Sequence, residues 1–316
     1  MLVASFSILG GLVLLALGAE GLVRGASSGA RRLGISPLII GLTVVAYGTS
    51  APELAVSLQA AMGGTPDIAL GNVVGSNISN VGLILGVTAL VAPVRVQTQI
   101  LRLDVPIMIG ISGLLLGLMW DGLVGRLNGV VLVAGAVAYT VVCIWGAWDE
   151  PRAVVEDLFD EGVPAQGSWG RDLLFGLGGL ALLVLGARLL VSGAVTVAEA
   201  AGLSTAVIGL TIVAVGTSLP ELATSMVAAL RGQNDLAVGN VVGSNIFNVL
   251  GILGITAVVH PVDATGLTWW DGGVMFAFSL LTLPLFWTGY TFSRLEGSLL
   301  LAGYLTYVGT LVGLAL

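Results

Sequence analysis

The sequence predicts an all-α polytopic membrane protein with ten transmembrane helices, arranged as two inverted five-helix repeats. Three features indicate this fold class: the composition, the number of apolar runs and a duplication along the chain. Of the 316 residues, 56% are hydrophobic and only 9% are charged. The apolar runs repeatedly reach the roughly 20 residues that cross a bilayer. A soluble globular protein is therefore excluded.

Hydropathy, with glycine and proline taken as breaks between segments, divides the chain into ten apolar segments. No basic region precedes the first run, and that run has a partner later in the chain, so it is interpreted as a retained span rather than a signal peptide. The predicted spans lie near residues 2–22, 37–62, 68–92, 104–119, 124–147, 173–191, 204–230, 235–259, 269–287 and 295–315. They define a first repeat (1–147), a charged linker (148–172) and a second repeat (173–316).

The two halves repeat one sequence pattern at an offset of 168 residues. Residues 40–86 match residues 208–254 at 32 of 47 positions without a gap. Shared hydrophobicity does not produce identity at this level, so the pattern indicates an internal duplication. Because each half has an odd number of spans, the second copy enters the membrane from the opposite side. We expect matched residues to face each other across a pseudo-two-fold axis in the membrane plane.

The placement of arginine predicts the orientation in the membrane. With the N-terminus outside, nine arginines are cytoplasmic and only Arg126 and Arg188 are external. Both termini are then outside the cell's inner membrane, and the acidic linker is cytoplasmic. Most acidic residues fall in such loops, so the low sequence pI near 4.5 does not indicate a nucleic-acid partner. Glu20 and Arg188 occupy matched span ends, where solvation alone explains both charges.

Two polar stretches interrupt each repeat inside otherwise apolar segments. Each first stretch ends in Gly-Thr-Ser-x-Pro-Glu, which places the carboxylates Glu53 and Glu221 within predicted spans. A charge at the bilayer centre costs about 3 kcal/mol unless a partner or water meets it, so a repeated carboxylate is expected to have a function. Pro52 and Pro220 remove a backbone donor and free carbonyls one turn earlier, where a broken helix offers oxygen ligands.

Each second stretch has the pattern Gly-Asn-x-x-Gly-Ser-Asn-x-x-Asn. Thr49 and Ser50 lie four and three residues before Glu53. Ser76 lies four residues before Asn80. Each set shares a helix face where the break is mild. The mirror set consists of Thr217, Ser218, Glu221, Ser244 and Asn248. Carboxylates, amides and hydroxyls without imidazole or thiolate suit Ca²⁺ or Na⁺ rather than zinc or copper.

Other chemistries have little support in the sequence. Cys143 and His260 are the only residues of their types, which argues against a disulfide framework, a zinc cluster and a Cys/His nucleophile. Two glutamates alone do not activate a serine, so an intramembrane hydrolase is disfavoured. We expect a protein that is not an enzyme and that binds no cofactor besides transported ions.

The paired signatures resemble the α-repeats of the cation/Ca²⁺ exchanger superfamily, and most closely the prokaryotic sodium/calcium exchangers. The resemblance covers nearly the whole chain, and both signatures occur twice. It implies ten helices in inverted repeats and four central side chains that bind Ca²⁺ and Na⁺ alternately, which are Glu53, Asn80, Glu221 and Asn248. It also implies hydroxyl ligands from Thr49, Ser50, Ser76, Thr217, Ser218 and Ser244, and backbone carbonyl ligands from Ala46 and Ala214.

The resemblance also bears on the driving ion. Several relatives have Asp at the position of Asn248, and in potassium-dependent exchangers that carboxylate is linked to K⁺ use, so K⁺ cotransport is disfavoured. Proton/calcium exchangers usually have Asn where this chain has Thr-Ser ahead of each glutamate, which favours Na⁺ here. The prediction is an antiporter that exchanges Ca²⁺ for Na⁺ by alternating access at a midplane site. The nearest alternative is a Ca²⁺/H⁺ or other cation/proton antiporter, followed by a cation channel.

Overall fold

The computed structural model describes residues 2–64, 66–120, 122–149, 168–202, 212, 214–263 and 269–315, which are mostly helical. The first half contains α1 (Leu2–Leu33), α2 (Pro37–Thr49), α3 (Ala51–Met62), α4 (Pro66–Ser79, extended by Asn80–Leu85 and Gly86–Val91), α5 (Ile100–Met119) and α6 (Arg126–Asp149). The second half contains α7 (Trp169–Ala200), α8 (Ala214–Thr217), α9 (Leu219–Leu230), α10 (Asn234–Phe247, extended by Asn248–Leu253 and Gly254–Val259), α11 (Trp269–Trp287) and α12 (Arg294–Ala315).

Within the described part of the chain, eight helices are long and apolar enough to cross a membrane: α1, α4, α5, α6, α7, α10, α11 and α12. The pair α2 and α3 gives a ninth span if the two helices, bent by 43°, are taken together. Helix α9 is apolar but has only 12 residues. The predicted span 204–230 falls partly on residues outside the description. The chain is a multi-pass helical membrane protein.

Helices α1 and α7 extend well beyond the spans predicted near 2–22 and 173–191. Each has 32 residues, which corresponds to about 48 Å of helix. The hydrocarbon core is only about 30 Å thick, so each helix tilts or projects beyond it. Hydropathy missed the extensions because they are rich in Gly, Ala, Ser and Arg, which continue a helix without adding an apolar run.

Glycines line the contact between α1 and α7, which run antiparallel. A Cβ atom at Gly11 would lie 2.7 Å from the Gly186 carbonyl oxygen, and one at Gly18 would lie 2.7 Å from that of Gly179. Small residues let helix backbones approach this closely in membranes. The glycines recur every seven residues, a period that keeps one face of each helix on its partner. We call this contact the glycine seam.

Helices α2 and α3 are separated at Ser50, and α8 and α9 are separated at Ser218. Both serines have almost the same backbone angles, with φ −82° and ψ 6° at Ser50 and φ −88° and ψ 7° at Ser218. Pro52 and Pro220 cause the breaks, because proline cannot donate the backbone bond that would continue the preceding helix. The duplicated sequence therefore produces the same break twice.

The two halves are interleaved rather than separate. Strand β1 (Val94–Arg95) pairs antiparallel with β4 (Thr291–Phe292), and β2 (Leu123–Val124) pairs antiparallel with β3 (Val262–Asp263). Each two-stranded ribbon joins one loop from each half. Helices α4 and α10 form the centre, since 78% and 83% of the residues in their most apolar stretches are buried. The corresponding share is 22–44% for the other single-helix spans. These two central helices contain the second polar stretch of each repeat.

Candidate ion-binding site

The two helix breaks and the two central helices meet at one buried cluster. The four predicted central residues are almost inaccessible: Glu53 is 2% exposed, Asn80 and Glu221 are each 1% exposed, and Asn248 is fully buried. The halves make contact through Ser50, whose Oγ atom donates to Glu221 Oε1 at 2.9 Å. Ser50 Oγ also lies 3.1 Å from Ser244 Oγ. The Glu53 and Glu221 carboxylates are close enough for their like charges to repel each other.

Both carboxylates lie in the first turn of a helix that begins directly after a break. Glu53 is the third residue of α3, and Glu221 is the third residue of α9. The free N–H groups of a helix N-terminus attract negative charge by roughly 0.3–1 kcal/mol at exposed sites and more when partly buried. The proline break therefore bends the chain and also places each carboxylate where the backbone stabilises its charge.

A π-helical turn begins at each of the two central asparagines. Asn80 opens the turn Asn80–Leu85, and Asn248 opens the turn Asn248–Leu253. Such turns are rare and frequently occur at functional sites, because they widen the helix and redirect its side chains. Hydropathy predicts regular helices over α4 and α10 and indicates neither turn. No local signal distinguishes these stretches from ordinary helix.

Several oxygens of the cluster lack a protein partner. Among the described residues, buried oxygens without a hydrogen bond include Glu53 Oε2, Glu221 Oε2, Asn80 Oδ1, Asn248 Oδ1 and Ser218 Oγ. A buried polar group left unpaired costs about 1–3 kcal/mol, so five of them in one cluster require an explanation. All five belong to the repeated signatures. Oxygen-rich groups of this kind fit a hard cation such as Ca²⁺.

The predicted hydroxyl and carbonyl ligands lie around the same cluster and differ in their burial and contacts. Thr49 Oγ1 lies 3.0 Å from Val45 O, and Ser244 Oγ lies 3.5 Å from Ala46 O. Ser76 is buried one turn before Asn80 on α4. Thr217 is half-buried at the end of α8, beside Ser218. Ala214 begins α8, and its side chain lies outside the description.

The structure adds polar residues that the sequence analysis did not select. Asn77 Nδ2 donates to Asn245 O at 3.1 Å, and Asn248 Nδ2 donates to Asn77 Oδ1 at 3.0 Å. Asn77 therefore holds a central residue of the opposite half. Asn72 and Asn240 contact the glutamate helices. The available signal was their presence inside the repeated Gly-Asn-x-x-Gly-Ser-Asn signature.

Comparisons with known proteins cover both halves of the chain. The family profile for sodium/calcium exchanger protein matches residues 3–145 and 172–313. The putative antiporter CaxA of Alkalimonas amylolytica is 43% identical over 97% of this chain and 98% of its own length. The sodium/calcium exchanger MaX1 of Methanosarcina acetivorans is 33% identical over 94% of this chain and 95% of its own length.

The likeness extends to three dimensions. A solved structure of the sodium-calcium exchanger NCX_Mj superimposes with a TM-score of 0.84 at 32% sequence identity, covering 98% of this chain and 99% of that one. A family match over both halves, full-length relatives and a shared structure lead to one conclusion. The chain belongs to the sodium/calcium exchanger family and is a multi-pass membrane transporter that carries out cation/Ca²⁺ antiport.

Proposed function

We propose that this protein exchanges Ca²⁺ for Na⁺ across the inner membrane by alternating access, with both termini outside. The ions bind at the cluster of Glu53, Glu221, Asn80 and Asn248. The observation that carries the proposal is the set of buried, unpartnered oxygens at the two repeated helix breaks and on the two central helices. The names of two relatives, the sodium/calcium exchangers MaX1 and NCX_Mj, support Na⁺ as the second ion.

The donor set suits both proposed ions. Ca²⁺ takes six to eight oxygen ligands at roughly 2.3–2.6 Å. Two carboxylates and two amides supply the central oxygens. The remaining candidates are the hydroxyls of Thr49, Ser50, Ser76, Thr217, Ser218 and Ser244 and the carbonyls of Ala46 and Ala214. We propose that Na⁺ uses the same oxygens, so the two ions compete.

Charge balance makes this competition an exchange. With both glutamates ionised, one Ca²⁺ or two Na⁺ neutralise the cluster, and a third Na⁺ leaves one positive charge. An empty cluster would hold two uncompensated carboxylates in a low-dielectric environment, which is costly. The alternating-access transition of the unloaded protein is therefore unfavourable. Flux of one ion in one direction then requires a counter-ion in the other direction.

Contacts between matched residues support the inverted-repeat architecture of residues 1–147 and 173–316 around the linker 148–172. A residue on a two-fold axis touches its own counterpart. Asn77 donates to Asn245, its match at an offset of 168. Ser112 Oγ lies 3.0 Å from Ser279 Oγ, which is one residue before Leu280, the match of Ser112. The long helices α1 and α7 are the proposed moving pair, and their glycine seam keeps them together.

Purified protein in liposomes tests the function without any added cofactor. Vesicles loaded with Na⁺ are diluted into Na⁺-free medium containing Ca²⁺ at one fixed pH on both sides. We expect Ca²⁺ uptake that requires internal Na⁺ and does not respond to a proton gradient alone. Uptake driven by a proton gradient without Na⁺ would identify a Ca²⁺/H⁺ antiporter instead. Ca²⁺ flux without any counter-ion would identify a channel.

A further inference from the structure

An asparagine from a central helix holds the backbone of each carboxylate residue. Asn72 Nδ2 donates to Glu53 O at 3.0 Å and to Ser57 Oγ at 2.9 Å. In the other half, Asn240 Nδ2 donates to Glu221 O at 3.4 Å and to Ser225 Oγ at 2.9 Å. One amide nitrogen carries two N–H donors and can make both bonds at once. We call each set of two bonds an asparagine clasp.

The clasp fixes the carboxylate relative to the central helix. The proline break interrupts the helical backbone hydrogen bonds between the first turn of α3 or α9 and the preceding helix. Asn72, Ser76 and Asn80 are spaced four residues apart and share one face of α4. A bond from Asn72 to the Glu53 backbone therefore sets the position of that carboxylate relative to the two proposed ligands on α4.

Asn240 also connects the two halves. Its Oδ1 atom accepts a hydrogen bond from Thr49 Oγ1 at 3.2 Å, while its Nδ2 atom holds α9. Asn240 and Ser225 are both fully buried. Water cannot readily replace a lost bond at such a site, so the remaining partner would stay unpaired. One amide thereby couples the helix break of the first repeat to the carboxylate of the second.

We propose that Asn72 and Asn240 are positioning residues that fix the separation of the two carboxylates and thereby favour Ca²⁺ over Na⁺. The inference rests on the proposed function and deepens the same site. A single Ca²⁺ must gather oxygens from both carboxylates within one coordination shell, whereas each Na⁺ is neutralised by one carboxylate. Selectivity for Ca²⁺ depends on ligand number and on the size and flexibility of the cavity. Loosening either clasp therefore weakens Ca²⁺ binding more than Na⁺ binding.

The test uses reconstituted full-length protein and three measurements: the KM for Ca²⁺, the maximal rate, and the external Na⁺ concentration that halves Ca²⁺ uptake when Ca²⁺ is far below the KM of each variant. For Asn240→Ala and Asn72→Ala we expect the Ca²⁺ KM to rise about tenfold, in line with the loss of one buried hydrogen-bonding group. The half-inhibitory Na⁺ concentration and the maximal rate should each change less than about threefold.

A second pair of variants separates positioning from general stability. Ser225→Thr and Ser225→Val add the same bulk, but only threonine keeps the hydroxyl that accepts from Asn240. Valine should reproduce the KM rise of Asn240→Ala, and threonine should have a KM close to the parent value. The Ca²⁺ KM of the double variant Asn240→Ala/Ser225→Val should be no higher than that of either single variant, because both substitutions remove the same interaction. Ser279→Ala removes a buried hydroxyl bond outside the cluster and should leave the KM unchanged.

Two results would overturn the clasp. The first is an equal KM for Ser225→Thr and Ser225→Val, and the second is a parallel change in the Ca²⁺ and Na⁺ constants of the asparagine variants. Glu221→Gln is assayed beside them to separate this inference from the proposed function. Retained Ca²⁺ uptake in Glu221→Gln would show that the ion site itself is wrong. Lost uptake there, with an unchanged ion preference in the asparagine variants, would overturn the clasp alone.

Discussion

The two ends of the ion site have matching sequences but unequal contacts. At one end α1 packs along α9, Glu20 pairs with Arg231, and Ser27 Oγ donates to Gln233. At the other end the matching helices α7 and α3 make at most marginal contact. Burial follows the same division, since Pro220 is buried while its counterpart Pro52 is partly exposed.

This difference shows which side of the site is closed. The end of α9 is sealed against α1, and the end of α3 is not covered by α7. In the proposed orientation the α9 end is cytoplasmic, so among the described residues the cytoplasmic side of the site is the more tightly packed. Glu20 is also more than a solvated charge, contrary to the sequence interpretation, because it pairs with both Arg24 and Arg231. Its counterpart Arg188 lies exposed on α7.

The prediction with the largest expected effect tests whether the two halves contribute equally to the ion site despite their unequal ends. Glu53→Gln and Glu221→Gln should each abolish Ca²⁺ uptake, because one remaining carboxylate cannot neutralise a divalent ion. We expect at least a hundredfold loss of rate, equivalent to about 2.7 kcal/mol. Counter-ion-dependent ⁴⁵Ca²⁺ uptake measures it. Near-normal uptake by a well-folded double variant would contradict the site.

Glu296→Gln is the matched control for the glutamate variants. Glu296 is 9% exposed and accepts bonds from the backbone and hydroxyl of Ser293, at the start of α12. It is a buried glutamate that serves a helix N-terminus and does not belong to the cluster. Its variant should lose some stability and keep Ca²⁺ uptake. Equal loss in all three variants would point to misfolding rather than ion binding.

The second prediction decides which end is cytoplasmic. In a Cys143→Ser background, Gln166→Cys in the linker should react only with reagents that enter the cytoplasm, and Arg126→Cys should react with impermeant reagents outside. The expectation follows from the arginine distribution. Labelling in intact cells and in lysed cells gives an all-or-none result. External labelling of Gln166→Cys would reverse the assignment of the closed end.

The sequence predicts the buried carboxylates and the helix breaks, but it does not predict the contacts that surround them. Glu53 and Glu221 stand out because ionisable residues are rare and costly within apolar spans, and the proline breaks follow from local chemistry. The Glu20–Arg231 pair and the strand ribbons join segments roughly 140 to 210 residues apart, which no local pattern indicates. The ten-span count and the individual ligands stay predictions.

The third prediction tests the seam that joins the two unequal ends. Gly18→Ala places a Cβ atom 2.7 Å from backbone atoms of α7, whereas a Cβ at Gly10 meets nothing within 4 Å. Overpacking of this kind costs about 1–3 kcal/mol. Gly18→Ala should lower the melting temperature and slow transport, and Gly10→Ala should do neither. Thermal melting in detergent and uptake rates measure both. Equal melting temperatures and uptake rates for the two variants would show that α1 and α7 can move apart at the seam without loss of stability or transport.

The smallest expected effect concerns the ion pair that distinguishes the closed end. Arg231→Gln removes the bond between α1 and the end of α9, and Arg188→Gln changes the matched residue that lies exposed on α7. Partly exposed ion pairs contribute about 0.2–1 kcal/mol, which corresponds to a change of up to about fivefold in the ratio of outward-open to inward-open protein.

Ala51 is exposed at the start of α3, beside the proposed ion site, and serves as the reporter of this ratio. In a Cys143→Ser background, Ala51→Cys should react more slowly with an external impermeant thiol reagent when Arg231→Gln is added. The same reporter with Arg188→Gln should react at the parent rate. Raised salt should reduce the difference, because it screens the ion pair in the parent protein. An equal reaction rate in both variants at low salt would show that the contact does not bias the two states. The asymmetry would then arise from helix packing alone.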